Sequence, residues 1–216
     1  MPNQTLLYKS LTVANIKLYF MFRSFLLGLS LLLVQSVYAQ NNELGIRLSY
    51  NATEKISPIE RSGISVTGYY KIKKGEKFAI VPSLQYRKQS FKDNALQIYQ
   101  TVEVQYFSVP FALRFYPFNS KPLNDLYVLG GVQADLVIKA EAEDNSTGER
   151  KDIHNLFNYT DGGYFFGWGY NIKQKVDIQM KWYTGLGDRY ITPSVDSNTP
   201  ENSYFEVSFA FVLFSE

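Results

Sequence analysis

Between Tyr106 and Phe118 the chain reads YFSVPFALRFYPF, and its side chains alternate in character with a period of two. Phe107, Val109, Phe111, Leu113 and Phe115 fall on one side, and Ser108, Pro110, Ala112, Arg114 and Tyr116 on the other. A β-strand sends successive side chains to opposite faces, so this stretch is a strand with one oily and one polar face. Any fold built from it must give each face a medium it tolerates.

The same alternation recurs along the chain. Leu44–Ala52, Gly63–Lys73, Phe78–Gln89, Leu126–Lys139, Gly163–Ile172, Val176–Leu186 and Tyr204–Phe214 all read as strands, which makes eight with the one above. Val176–Leu186 is the cleanest: Val176, Ile178, Met180, Trp182, Thr184 and Leu186 oppose Asp177, Gln179, Lys181, Tyr183 and Gly185. Pro82 and Pro110 each remove a ladder donor and are expected at a bulge or bend. Val102-Glu103-Val104-Gln105 alternates in the opposite phase from Phe107 onward, which predicts a bulge near Tyr106. Between strands the chain alternates long polar loops with tight turns such as Lys74-Gly75-Glu76 and Lys173-Gln174. The longest irregular stretch is expected at Glu141–Asp161, and a second long loop at Gly187–Pro200.

This rhythm, an even strand count and strands of about ten residues predict an all-β fold: an eight-stranded antiparallel up-and-down transmembrane β-barrel with both ends in the periplasm. Average hydropathy conceals such a design. Only 45% of residues are hydrophobic although 17 Tyr and 16 Phe are present, because alternation dilutes the apolar stripe. By parity Arg47, Lys71, Arg87, Arg114, Lys139 and Lys181 share the polar face with Asp135, Asp177 and Glu206. A charge at the bilayer midplane costs about 2–4 kcal/mol, so these nine are predicted to form an enclosed polar network in the lumen. An eight-stranded barrel has room inside only for side chains, and no conducting pore is expected. Tyr50, Tyr86, Tyr116, Tyr164, Tyr170 and Trp182 lie near strand ends, where an interfacial girdle would sit. The alternative, a soluble lipocalin-like barrel, would turn the bulky residues inward and leaves the loop rhythm unexplained.

Ser24–Ala39 is an uncharged apolar run after Arg23, and it ends in Val37-Tyr38-Ala39, a small-x-small cleavage pattern. Residues 1–39 are therefore expected to be a leader with a signal peptide, and residues 40–216 the barrel domain. Met21-Phe22-Arg23 makes a more ordinary beginning than Met1, and translation is expected to start there. Export would take the chain to the outer membrane of a Gram-negative bacterium.

Tyr106-Phe-Ser-Val-Pro-Phe-Ala-Leu-Arg-Phe-Tyr116 resembles the characteristic strand of the PorT-like small outer-membrane barrels. Leu126-Tyr-Val-Leu-Gly-Gly-Val-Gln-Ala-Asp135 and the Phe166–Gly187 hairpin, with Asp177-x-Gln-x-Lys181-Trp-Tyr-x-Gly185-Leu, are similar to that family too. The resemblance implies a barrel of the outer membrane and brings no assigned reaction with it. In one respect the chain departs from outer-membrane barrels: Phe214 falls out of phase with the apolar stripe, and Ser215-Glu216 follow it.

Chemistry-bearing residues are few. There is no cysteine, and the single histidine, His154, lies in the long loop beside Asp152. A metal site needs several converging ligands, so no metal and no cofactor are expected. Asp135, Asp177 and Glu206 sit among cations, which favours ion pairing over acid–base catalysis. With 22 basic and 20 acidic residues the chain carries a net charge of +2, without the clustered basic face of a nucleic-acid binder. The expected role is a structural or interaction barrel, monomeric, surrounded by outer-membrane lipid and able to hold a protein partner at its external loops. It is not expected to be an enzyme. The competing reading is a rim enzyme using His154 with Asp152, Asp161, Asp188 and Asp196.

Overall fold

Antiparallel ladders close the strands into a ring. The computed structural model describes residues 42–52, 61–93, 100–118, 120, 123–173, 175–187 and 203–215, all within the unit Asn41–Glu216. The strands are β1 (Asn42–Ala52), β2 (Arg61–Lys74), β3 (Phe78–Asp93), β4 (Gln100–Phe115), β5 (Leu126–Asp144), β6 (Arg150–Asp152), β7 (Thr160–Ile172), β8 (Val176–Gly185) and β9 (Tyr204–Ser215). Each barrel strand pairs with its neighbours in sequence, β9 pairs with β1, and β4 with β5. Eight strands therefore form a closed up-and-down barrel. The ninth, β6, is three residues long and, among the described residues, pairs only with β5. Both ends of the described barrel chain lie at the end with the tight turns, and the long connections lie at the other.

The wall has the predicted polarity. Phe111 is 39% exposed and Phe209 49%, whereas Arg114 is 1% and Lys181 3% exposed. Leu48, Val66, Leu84, Leu113, Val132 and Phe166 likewise stand outside. A lipocalin-like arrangement would reverse these faces. Outward aliphatic and aromatic side chains with ionised residues enclosed suit a barrel whose solvent is hydrocarbon.

Inward glycines admit inward rings. Gly45 stands opposite Tyr69, Gly169 opposite Tyr127 and Gly131 opposite Phe165 in the ladders. At each of these sites the ring of the partner occupies the volume a methyl group would need. The small–large pairing fits large side chains into a cylinder of only eight strands.

Several expectations change. The prolines cause no register shift, but the ladders lapse beside them. Between β2 and β3 the pairing skips Pro82, and between β3 and β4 it skips Pro110, while Pro82 pairs with Phe111 and Pro110 with Gln133. The register does shift between Gln105 and Tyr106, but the extra residue is Ile138 on β5, because Gln105 faces Lys139 and Tyr106 faces Val137. Strand β4 keeps its phase throughout, with Val102, Val104, Tyr106 and Ser108 all buried. A second shift, between Leu44 and Gly45, leaves Leu213 as the extra residue of β9. That bulge returns Phe214 to the outside, where it is 69% exposed, in the lipid-facing stripe rather than out of phase.

Glu141–Asp161 is not an irregular loop. Strand β5 continues to Asp144, turns through Asn145–Thr147, returns as β6 and passes through a 3₁₀ turn at His154–Leu156 into β7. The leader, the choice between Met1 and Met21, and most of the Gly187–Pro200 loop with Asp188 and Asp196 lie outside the described residues.

Candidate functional site

Two sets of side chains could carry function: the network inside the barrel and the wall beyond the apolar belt. Inside, the anions collect the cations in separate knots. Arg114 donates from Nη1 to Asp177 Oδ2 at 2.7 Å and from Nη2 to Gln179 Oε1 at 3.3 Å. The Tyr127 hydroxyl donates to Asp177 Oδ1 at 2.7 Å, and the Arg47 guanidinium stands 3.9 Å from the same oxygen. Nearer the loop end, Arg87 donates to Asp135 Oδ2 at 3.2 Å, with further hydrogen bonds to that carboxylate from Tyr183 and Gln133. Lys181 pairs with Glu206 at 3.3 Å. Lys71 pairs with Glu43, which also holds Lys73 at 3.4 Å.

Eight of the nine predicted lumen residues are thus enclosed: Arg47, Lys71, Arg87, Arg114, Asp135, Asp177, Lys181 and Glu206. Lys139 is the exception. The bulge at Ile138 turns it to the outer wall, where its side chain is 52% exposed and pairs with Glu141 at 2.9 Å. Parity counting missed Glu43, which shares the inward phase of Arg47 one residue before the predicted start of β1. It also left unassigned the aromatic half of the network. Arg87 lies 4.5 Å from the centroids of both Tyr106 and Tyr204, Arg114 lies 4.2 Å from Tyr127, and Arg47 lies 5.0 Å from Tyr69. Such ring faces stabilise a desolvated guanidinium without adding negative charge.

A void between Arg47, Thr67, Arg114, Gln179 and Lys181 measures about 10 Å³, scarcely one water. At the turn end a wider mouth of about 400 Å³ opens between Lys71, Lys73, Glu76, Asn124 and Asn171. Tyr116 belongs to this mouth, tilted against Tyr127 at 5.5 Å, and so leaves the girdle assigned to it. Tyr50, Tyr86, Tyr164 and Trp182 are exposed on the outer wall as a girdle requires.

Beyond the belt, β4 and β5 run on together, Gln100 facing Asp144, and with the end of β3 they form a crest above the rest of the barrel. Here the faces exchange character. Val102, Val104, Val137, Ala140, Ala142, Ile153 and Phe157 form a buried apolar cluster on the inner side. The outer side carries Lys88, Glu103, Gln105, Lys139, Glu141 and Glu143, with Lys88 paired to Glu103 at 2.8 Å and Arg150 to Glu143 at 2.9 Å. The hairpin tip is closed by Asp144, whose Oδ1 accepts from the Ser146 N–H at 2.7 Å and from the Ser146 hydroxyl at 2.5 Å. Those bonds, the hydroxyl's first, hold the Asp144 carboxyl below its ordinary pKa.

The rim-enzyme residues do not converge among the described residues. Asp152 accepts from the backbone N–H of His154 at 2.9 Å, while His154 Nε2 lies 3.2 Å from the Val137 carbonyl oxygen and its ring packs edge-on against Tyr159. Asp161 accepts from the backbone of Gly162 and Gly187.

This is a membrane-spanning β-barrel of the outer-membrane type. No protein-family model matches the chain, and no curated protein is similar to it at a significant level. Solved structures similar to it are small barrels. Ail, the attachment invasion locus protein of Yersinia pestis, is 13% identical, with 81% of this chain and 98% of that chain covered and a TM-score of 0.46. Neisserial surface protein A is 10% identical, with coverages of 79% and 96% and a TM-score of 0.47. The translocator domain of the autotransporter NalP from Neisseria meningitidis is 12% identical, with coverages of 97% and 98% and a TM-score of 0.36. The fold itself rests on the strand pairing and the two-faced wall.

Proposed function

We propose that the protein is an integral outer-membrane barrel of a Gram-negative bacterium, exported on its leader, that acts as a monomeric structural or interaction barrel through its external face. The observation that carries this reading is the crest. A strand pair that runs past the belt, with an apolar core of its own and an ion-paired outer face, is a rigid platform presented to the outside. Rigid elements present a binding surface more precisely than loops do. The lumen supports the other half of the proposal. Arg114 of β4 reaches Asp177 of β8 across the lumen, Arg87 of β3 reaches Asp135 of β5 past β4, and Lys181 pairs with Glu206 on the adjacent strand. These enclosed side chains leave little path for a solute. The motifs similar to the PorT-like barrels agree with an envelope role and leave the partner open, and no reaction is assigned.

Photo-crosslinking in intact cells tests this. A photoreactive residue at Lys151, exposed on β6 of the crest, is expected to capture a discrete partner protein. The same probe at Phe211, facing the hydrocarbon, is expected to capture none. Stable open-channel steps from the refolded barrel in planar bilayers, or equal capture at both positions, would overturn the reading.

A further inference from the structure

The crest exchanges lipid for water within one residue step on each of its strands, and that step carries a pair of lysines. On β3 the outward series passes from Tyr86 to Lys88, on β4 from Phe107 to Gln105, and on β5 from Ile138 to Lys139. In the ladders Lys88 faces Gln105, and Gln105 faces Lys139. Two ammonium groups thus flank one amide across three adjacent strands, at the depth where the hydrocarbon ends and headgroups begin. Elsewhere around the wall the outward side chains near the loop end are uncharged among the described residues: Tyr50, Ile64, Tyr164, Trp182 and Phe205.

We propose that Lys88, Gln105 and Lys139 form a phosphate site on the outer wall that holds the phosphorylated headgroup of a lipid in the leaflet at the loop end. The bulge is the strongest argument. Were Ile138 paired as a regular ladder residue, Lys139 would face Val104 and point into the apolar cluster of the crest; because Ile138 bulges, the lysine stands outside and Ala140 and Ala142 fill the inner face. Bulges re-aim side chains in this way next to functional sites.

The second argument is pre-organisation. Lys88 spends one donor on Glu103 and Lys139 one on Glu141, at 2.8 and 2.9 Å, and each ammonium keeps two N–H groups. Gln105 is fixed from both sides, accepting from the Tyr86 hydroxyl at 3.1 Å and donating to Glu103 at 3.2 Å. Both carboxylates sit further along their strands, on the water side. A phosphate rising from the lipid therefore meets the ammonium groups first. Strands about 4.8 Å apart place the two lysine backbones about 10 Å apart, within reach of one headgroup. A lysine ammonium meets phosphate as a point charge and needs no forked geometry.

The test uses the full chain refolded into phosphatidylcholine vesicles, alone or doped with phosphatidic acid, which carries a phosphate monoester, or with its dephosphorylated counterpart, diacylglycerol. Phosphatidic acid, and not diacylglycerol, is expected to raise the thermal unfolding midpoint by several degrees. Lys88→Gln/Lys139→Gln should lose that shift, and the turn-end control Lys74→Gln/Lys77→Gln should keep it. Should the double variant fail to refold, each single substitution is expected to lose about half. Equal shifts in all three proteins, or none in the wild type, overturn the site. Inorganic phosphate that reproduces the shift over neutral vesicles overturns the lipid assignment in favour of a soluble ligand. The inference rests on the membrane reading of the barrel and not on a protein partner. Failure to insert into any vesicle defeats both readings, while lost phosphate dependence with intact insertion defeats only this one.

Discussion

The belt and the crest share strands β3, β4 and β5, yet on β4 and β5 their faces are opposite. In the belt Ser108, Asp135 and Gln85 point inward while Phe107, Leu136 and Leu84 point out. A few residues further along, Val104 and Ala140 point inward while Glu103, Gln105, Lys139 and Glu141 point out. The backbone is the same ladder in both. What changes is the outer medium, from hydrocarbon, which forbids charge, to water, which accepts it. The inner face follows by exclusion: in the belt it holds the charges the wall cannot, and in the crest it holds the methyl groups that water rejects.

The largest effects should come from reversing the inner faces. Asp135→Leu leaves Arg87, fully enclosed, with three ring faces but no counter-charge. Removing one member of a buried ion pair costs about 3–5 kcal/mol, which urea unfolding in lipid vesicles should register for the whole barrel. Val104→Asp makes the mirror-image error in the crest. It should expose the β5–β6 hairpin to protease while the barrel keeps its heat-dependent gel migration. A loss under about 1 kcal/mol for Asp135→Leu would mean that the lumen network is solvated and not structural.

Reversing the outer faces should cost less. Val132 stands mid-belt between Phe111 and Tyr164, so Val132→Arg is expected to destabilise by about 2–4 kcal/mol. Thr101→Arg places the same side chain on the outer face of the crest and should stay within about 0.5 kcal/mol. Equal costs at the two sites, measured by the same urea titration, would erase the boundary drawn between Phe107 and Gln105.

That boundary marks how much was readable from sequence. Eight strands, their faces and eight of nine lumen residues follow from a period of two, because alternation survives any tilt or closure of the sheet. The reversed phase of Val102-Glu103-Val104-Gln105 was visible as well, but it has two physical causes that a single sequence does not separate: the chain can slip by a residue, or the medium can change. Strand β4 takes the second course, and β5, beside it, takes the first at Ile138. Counting parity through that residue put Lys139 indoors, as counting through Leu213 put Phe214 out of phase. An inserted residue leaves no mark of its own in the composition. Glu43 was missed for a plainer reason: the strand was begun one residue too late. Pairing between strands, which brings Gly45 to Tyr69 or Arg87 to Tyr204, lies beyond any one-dimensional pattern.

The smallest difference concerns the tip of the crest, where the network is held by one exposed carboxylate and not by burial. Asp144 binds Ser146 through both its N–H and its hydroxyl, and a folded-state pKa below the ordinary carboxylate value follows from those bonds. A depressed pKa contributes order that is fully present above the unfolded value, about 3.9, and is lost as pH falls through the folded value. The Ser146 amide should therefore exchange with solvent faster, relative to its intrinsic rate, as pH falls below about 4, while the amides of Val104 and Ala140 in the core of the crest stay protected. Asp144→Asn should remove the pH dependence and leave the core amides unchanged. Core amides that open together with Ser146 on acidification would show instead that tip and crest melt as one unit, and that the carboxylate at the tip holds the whole platform.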